Sequence, residues 1–129
     1  MNLDQRLASV VEAARSKKAF RIRLVDVSGI ASFTDTFAFM SGGSDRQNRA
    51  VAEAVEEAMK LAGERPLSSE GVENGNWILL DYGDLIVHIM DESTRSFYNL
   101  EGLWHNGRDL ELPPEAPASV STFTNKVEG

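Results

Sequence analysis

Residues 77–90, with the sequence WILLDYGDLIVHIM, decide the fold of this chain. Two short aliphatic runs flank Gly83-Asp84, and glycine at the first central position is typical of a two-residue type II′ turn. The stretch therefore predicts a β-hairpin. The predicted pairs are Tyr82 with Leu85, Leu80 with Val87, and Ile78 with Ile89.

The two faces of this hairpin differ, because side chains alternate along a strand. One face is core-like and holds Ile78, Leu80, Tyr82, Leu85, Val87 and Ile89. The other, mixed face holds Trp77, Leu79, Asp81, Ile86, His88 and Met90, and Asp84 joins it if the turn is Tyr82-Gly83. This mixture is closer to an interface than to a core. The alternative is that helices cover both faces and leave Asp81 and His88 near the rim of the sheet.

The residues before the hairpin predict two helices and two strands. Apolar residues at helical spacing predict a helix over residues 3–17, and a strand follows over 20–27 with Phe20, Ile22 and Leu24 on one face. Residues 37–41 form a short apolar run typical of a buried strand. Ser44 and Gln47 form a capping-box pattern that opens a second helix over residues 45–62. Residues 64–76 are interpreted as a loop.

The residues after the hairpin predict a third helix and a tail. Ser93 is the expected cap, and Phe97, Leu100, Leu103 and Trp104 are expected on one helical side. Residues 105–129 are interpreted as a peripheral or flexible tail, so the domain is expected to span 1–104. The fold class is therefore α/β (mixed α+β): a single domain with a mixed sheet of about four to five strands and flanking helices.

Composition and charge limit the classes of function. Among 129 residues, 13 Lys and Arg face 20 Asp and Glu, which gives a net charge of −7. Binding dominated by nucleic-acid phosphates is disfavoured, because it depends on many Lys and Arg. The absence of cysteine excludes disulfides and cysteine-ligated zinc. With no apolar run of membrane-span length and no signal-peptide pattern, we expect a cytoplasmic protein with no membrane contact.

Several segments, in order and at similar spacing, resemble the Iojap-like ribosomal silencing factors. They lie within residues 3–104 and include TDTFAFMSGG (34–43), SDRQ (44–47), EG (70–71), the hairpin itself and FYNLEGLW (97–104). The resemblance implies a factor that binds the large ribosomal subunit through its fourteenth ribosomal protein. It further implies that the factor sterically blocks joining of the small subunit and represses translation when nutrients are scarce.

The resemblance also implies a fold similar to the nucleotidyltransferase superfamily without its catalytic residues. The expected partner is a basic protein, which suits an acidic chain. On the mixed hairpin face, Trp77 and Leu79 are expected to anchor the partner by burial, and the acidic residues are expected to meet Lys or Arg. The predicted contact residues are Trp77, Leu79, Asp81, Asp84, His88 and Met90.

Two other functions remain open from the sequence. A glycine turn at Gly42–Arg46 leads from a strand into a helix and is typical of a phosphate-binding site, so a nucleotide-binding or nucleotidyltransferase-like protein is the alternative. However, Asp81 and Asp84 flank a turn rather than converging on a metal, and Asp45 would repel a phosphate. We therefore expect no catalytic site, metal or cofactor. The third possibility is a homodimer formed through the Trp77 face.

Overall fold

The structure is a computed structural model that describes residues 1–115, and within them the chain forms four helices and six strands. The helices are α1 (Leu3–Ser16), α2 (Asp45–Leu61), α3 (Glu92–Tyr98) and α4 (Leu100–Leu103). The strands are β1 (Phe20–Asp26), β2 (Thr36–Ser41), β3 (Ser68–Glu70), β4 (Trp77–Asp81), β5 (Leu85–Met90) and β6 (Arg108–Leu110).

The six strands form one mixed sheet in the order β3-β4-β5-β2-β1-β6. Strands β2 and β5 pair in parallel, and the other neighbours are antiparallel. The predicted mixed α/β domain is confirmed. The expected strand count is too low, because β3 and β6 are three-residue strands at the two edges and show no apolar alternation.

Helices α1 and α2 cover one face of the sheet and form the main core with it. Val10, Val11, Val51 and Val55 are fully buried against the hairpin, as the apolar stripes of the two helices predict. Asn2 and Gln5 form a capping box at the start of α1. Both helices are confirmed, and each ends one residue before its predicted end, at Ser16 and Leu61.

The hairpin pairs as predicted, with Ile78 opposite Ile89 and Leu80 opposite Val87. Gly83 takes φ +88°, a conformation that glycine adopts without steric cost. All six residues of the predicted core-like face are buried in the main core. The period of the sequence therefore determines which side of the hairpin faces α1 and α2.

Strand β1 departs from its predicted alternation near its start. Its pairing with β2 shifts between Phe20 and Arg23, and Arg21 takes φ +52°, so a bulge interrupts the strand. A bulge turns the preceding side chain away from its expected face. As a result Leu24 lies in the main core, whereas Phe20 is exposed.

The predicted third helix is two short helices, broken at Asn99, which takes a left-handed conformation with φ +48°. Its cap is Asp91, which accepts a hydrogen bond from the Thr94 backbone N–H at 2.8 Å, and not Ser93. Because the break rotates the second segment, the four residues expected on one side are divided. Leu100 and Trp104 pack onto the sheet, whereas Phe97 and Leu103 are exposed.

The chain beyond Trp104 contributes to the sheet. Strand β6 pairs with Leu24–Asp26 of β1, and the Arg15 guanidinium donates to the Pro113 carbonyl at 2.8 Å. The sheet therefore extends past the boundary expected at residue 104. The rest of the predicted tail, residues 116–129, lies outside the described residues.

Candidate functional site

The second face of the sheet carries the mixed side of the hairpin and a second, smaller apolar cluster. Its buried members are Val25, Val27, Phe37, Phe39, Ile86 and Met90, and Trp77, Leu79, Leu100 and Trp104 pack at its edge as half-buried residues. Helices α3 and α4 cover only part of this face. This face of the sheet is therefore only partly covered. The sequence had allowed either a face exposed to a partner or a face covered by helices.

His88 is held inside this cluster as a neutral, stacked ring. It is only 4% exposed and lies parallel to Phe39, with ring centroids 5.3 Å apart and an interplanar angle of 15°. Burial lowers the pKa of His88 to about 4. The Trp77 Nε1–H donates to His88 Nδ1 at 3.0 Å, which requires the His88 proton to be on Nε2. His88 therefore orients the Trp77 indole instead of presenting a charge.

Three aromatic rings continue from this hydrogen bond to the protein surface. Trp77 lies 4.9 Å from Tyr98 between ring centroids, and Tyr98 contacts Phe97 edge-on at 5.0 Å. Phe97 is 80% exposed and Tyr98 is also exposed. With half-buried Leu79, these residues form what we call the aromatic surface (Trp77, Leu79, Phe97 and Tyr98).

Two further exposed apolar residues lie next to members of the same cluster. Phe33, which is 58% exposed, packs edge-on against Trp104 with centroids 5.9 Å apart. Leu103, at the end of α4, is 69% exposed. Large exposed apolar side chains gathered on one face are typical of protein-binding surfaces.

A buried ion pair holds α3 and α4 in this arrangement. Arg95 is buried and donates to both Glu101 carboxylate oxygens, at 2.7 and 3.0 Å, and to Ser41 Oγ at 3.0 Å. These hydrogen bonds from Arg95 lower the pKa of Glu101. Asn99 Oδ1 accepts from the Gly102 backbone N–H at 3.2 Å and stabilises the break between the helices. Together these contacts fix the direction in which Phe97 projects.

The two predicted acidic contact residues lie in different places. Asp81 is half-buried on the mixed face, and its Oδ1 accepts from the Gly83 backbone N–H at 2.8 Å. Asp84 instead turns toward α1, where Arg6 donates to both of its oxygens at 2.7 and 2.9 Å and lowers its pKa. Asp84 also lies at the opposite end of the hairpin from Trp77. The structure therefore does not bring Asp84 into the aromatic surface.

Two other predicted contact residues lie below the surface. Met90 is 1% exposed and, like His88, belongs to the buried cluster. The alternation of side chains along β5 correctly predicted the face on which His88 and Met90 lie. It does not predict whether another element covers that face. His88 and Met90 support the aromatic surface from beneath and do not form it.

Sequence reasoning missed Tyr98 as part of this surface and grouped Phe97 with Leu100 and Trp104 on one helical side. One signal was available: Phe97 and Tyr98 are adjacent, and neighbouring residues on a helix lie about 100° apart, so a narrow buried stripe cannot accommodate both. Phe33 carried no such signal, because it lies in a loop whose path the sequence does not predict.

The Gly42–Arg46 turn is internally hydrogen-bonded. The Gly43 N–H donates to Gln47 Oε1 at 2.7 Å, and the Gln47 N–H donates to Ser44 Oγ at 3.0 Å. A Cβ on Gly42 would lie 2.3 Å from Asn48 Oδ1, so this glycine is required by packing within the protein. The Gly43 and Gln47 amides therefore already have partners and are not free to bind a phosphate.

Within residues 1–115, no group of three or more His, Asp or Glu side chains is placed to hold a metal ion. No helix in the same range is long and apolar enough to cross a membrane.

Comparisons with known proteins identify the family and the fold of this chain. The family model described as "Ribosomal silencing factor during starvation" matches residues 1–128. The ribosomal silencing factor RsfS of Halalkalibacterium halodurans is 32% identical over 112 residues, which cover 87% of this chain and 96% of that protein. The protein of the same name from Bacillus subtilis is 35% identical over 104 residues, covering 81% and 88% of the two chains.

A solved crystal structure shares this fold. It is a protein from Chromobacterium violaceum with a TM-score of 0.79 and 32% sequence identity, and the match covers 94% of this chain and 100% of that one.

Proposed function

Because this chain belongs to the ribosomal silencing factor family, we propose that it silences ribosomes by binding the large subunit through the fourteenth large-subunit ribosomal protein. The bound factor then sterically prevents the small subunit from joining, which represses translation when nutrients are scarce. It acts in the cytoplasm, by binding and not by catalysis.

The aromatic surface is the observation that carries this proposal. A folded domain gains little in its own stability from side chains as exposed as Phe97, whereas a partner that covers Phe97 and Tyr98 removes a large apolar area from water. Trp77 is already oriented by its hydrogen bond to His88. An anchor that is ordered before binding loses little conformational entropy when the complex forms.

The proposed contact residues have distinct roles. Trp77 and Leu79 anchor the partner together with the two exposed aromatic residues of α3, and Asp81 meets a Lys or Arg of the partner. His88 and Met90 act from beneath by holding the shape of the surface. Asp84 is ion-paired with Arg6 and lies outside the aromatic surface.

Charge supports the same partner class. The chain has a net charge of −7, and the proposed partner is a basic protein, so long-range attraction favours their encounter. The acidic chain also discourages non-specific adhesion to ribosomal RNA.

The direct experiment combines purified large subunits with wild-type protein and with a Trp77→Ala variant, followed by small subunits. We expect wild type to co-sediment with large subunits and to block joining, whereas folded Trp77→Ala loses both properties. Arg65→Ala, which changes an exposed residue remote from the aromatic surface, serves as the matched control. If wild type fails to bind large subunits, the proposed function is wrong.

The role of Asp81 is tested with a conservative substitution, because its side chain also stabilises the turn. Asp81→Asn keeps the oxygen that accepts from the Gly83 N–H and removes only the charge. Affinity for large subunits should fall, and its dependence on salt should become shallower. An unchanged affinity and salt dependence would remove Asp81 from the interface.

Self-association is the competing use of the same surface. A homodimer that buries Trp77 would have to open before docking, so the two states would exclude each other. Mass measurements over a range of concentrations, with wild type and Trp77→Ala, distinguish them. If the dimer dissociation constant of Trp77→Ala equals that of wild type, Trp77 is not part of a dimer interface.

A further inference from the structure

The positive charges of this acidic protein are unevenly distributed. Most described arginines are ion-paired with carboxylates: Arg6, Arg21, Arg23, Arg49, Arg95 and Arg108. Within residues 1–115, five exposed Lys and Arg side chains have no such partner, namely Lys17, Lys18, Arg46, Lys60 and Arg65. The first three lie at one corner of the domain, which we call the basic corner (Lys17, Lys18 and Arg46).

The corner is assembled where the end of α1 meets the start of α2. Gln47 Nε2 donates to the carbonyls of Lys17 and Lys18, at 3.0 and 3.2 Å. These bonds hold the last turn of α1 against the first turn of α2, which carries Arg46. The backbone positions of the three cations are therefore close in space although they are separated in sequence. The neighbouring Asp45 carboxylate is ion-paired with Arg49.

Local structure does not account for two of these three cations. Lys18 takes φ +68° just after α1, where the Ala19 N–H donates to the Ala14 carbonyl in a Schellman arrangement that favours glycine. Arg46 lies in the first turn of α2, where the helix dipole disfavours positive charge. The charges of Lys17 and Lys18, at the end of α1, both agree with the dipole of that helix. Residues that oppose local preference are commonly retained for function.

The basic corner lies at the same end of the sheet as Trp77. A row of paired residues crosses the sheet from Trp77 to Met90, Ser41 and Phe20. Three strand spacings of about 4.8 Å separate the ends of this row, or about 14 Å. The basic corner lies on the α1–α2 side of this end of the sheet and the aromatic surface on the opposite side, so a large partner such as a ribosomal subunit contacts both by extending around this end.

We propose that the basic corner binds the phosphate backbone of ribosomal RNA beside the protein that receives the aromatic surface. This inference rests on the proposed function, because docking of the aromatic surface brings the corner to the subunit. A ribosomal subunit consists largely of RNA, so phosphates flank a protein at its surface. The corner supplies the cations that neutralise them, and their binding fixes the orientation of the docked factor.

The test compares two variants that each remove two positive charges. Lys17→Gln with Arg46→Gln alters the corner, and Lys60→Gln with Arg65→Gln alters the remaining unpaired cations. Affinity for purified large subunits is measured over a series of salt concentrations. Removing one cation that neutralises a phosphate should reduce the slope of log affinity against log salt by about one. We expect a slope shallower by about two and an affinity about tenfold weaker for the corner variant at low salt.

The matched variant should retain the wild-type slope. Equal slopes in the two variants would overturn the inference while leaving the proposed function intact, provided that wild type binds and blocks joining. Failure of wild type to bind large subunits would overturn both.

A photo-crosslinking residue at position 17 identifies the class of molecule that the corner touches. Crosslinks to ribosomal RNA are expected from position 17 and not from position 60. Crosslinks from position 17 to ribosomal protein alone would overturn the inference.

Lys18→Gly separates this role from a structural one. Glycine relieves the left-handed conformation, so the melting temperature should rise while affinity for the large subunit falls. A variant that is more stable and binds as tightly as wild type would remove Lys18 from the RNA-binding surface.

Discussion

Replacing Phe97 with alanine separates binding from folding more cleanly than any change at Trp77. Phe97 is 80% exposed, and its ring contacts Tyr98 at 5.0 Å. A buried aromatic side chain covers about 200 Å², so about 160 Å² of Phe97 is available to a partner. At about 25 cal/mol per Å² this area gives about 4 kcal/mol as an upper bound. Binding also orders side chains and removes water from polar groups, so the expected loss of binding free energy in Phe97→Ala is about 2 kcal/mol, or about 30-fold in Kd.

The same substitution should scarcely alter stability. The part of Phe97 already buried is about 40 Å², which corresponds to about 1 kcal/mol, and the better helix propensity of alanine offsets part of that loss. Leu61→Ala is the matched control, because Leu61 is an apolar helical residue that is 82% exposed and lies at the end of α2.

Binding of labelled protein to purified large subunits gives Kd, and a thermal melt of each variant gives its stability. We expect weakened binding for Phe97→Ala, wild-type binding for Leu61→Ala, and similar melts for all three proteins. Equal binding by the two variants would refute the assignment of the aromatic surface.

Three further predictions concern stability. Burial lowers the pKa of His88 from 6.5 to about 4. As pH falls, the unfolded chain therefore binds a proton at His88 before the folded protein does. The free energy of unfolding should decline between pH 6.5 and about 4, by about 3 kcal/mol at most. Denaturant titrations between pH 6.5 and about 5 should show the decline in wild type and not in His88→Phe, whereas below about pH 5 the carboxylates with lowered pKa, such as Asp84 and Glu101, add a decline in both proteins. Arg95→Met leaves the Glu101 carboxylate without its main partner and should cost about 3 kcal/mol, measured by urea unfolding. Gly42→Ala places a Cβ 2.3 Å from Asn48 Oδ1 and should lower the free energy of unfolding by about 1–3 kcal/mol, also seen in urea.

The hairpin shows what periodicity can predict. Its turn and its two faces follow from alternation around Gly83, and the core-like face packs as predicted. Periodicity cannot reveal what covers the second face, because that depends on elements elsewhere in the chain. For this reason His88 and Met90 were assigned to the correct face and yet lie beneath its surface.

Features set by a single unusual residue were not predicted. Asn99 and Arg21 take left-handed conformations that break a helix and bulge a strand, although neither is glycine. The short edge strands β3 and β6 were also not predicted, because they are stabilised by pairing with neighbouring strands and have no apolar pattern of their own. The direction of the Phe97 side chain depends on the break at Asn99. For this reason Phe97 is absent from the contact residues predicted from the sequence.

The pairing of β1 with β6 has a consequence for how the chain is made. Leu24–Asp26 emerge early in synthesis, but their partner Arg108–Leu110 emerges only after nearly all of the described chain. Until then one edge of β1 is unpaired, and an unpaired edge is a template for aggregation. Chains truncated before Arg108 should therefore be prone to aggregate during expression even though both main helices and the hairpin are complete.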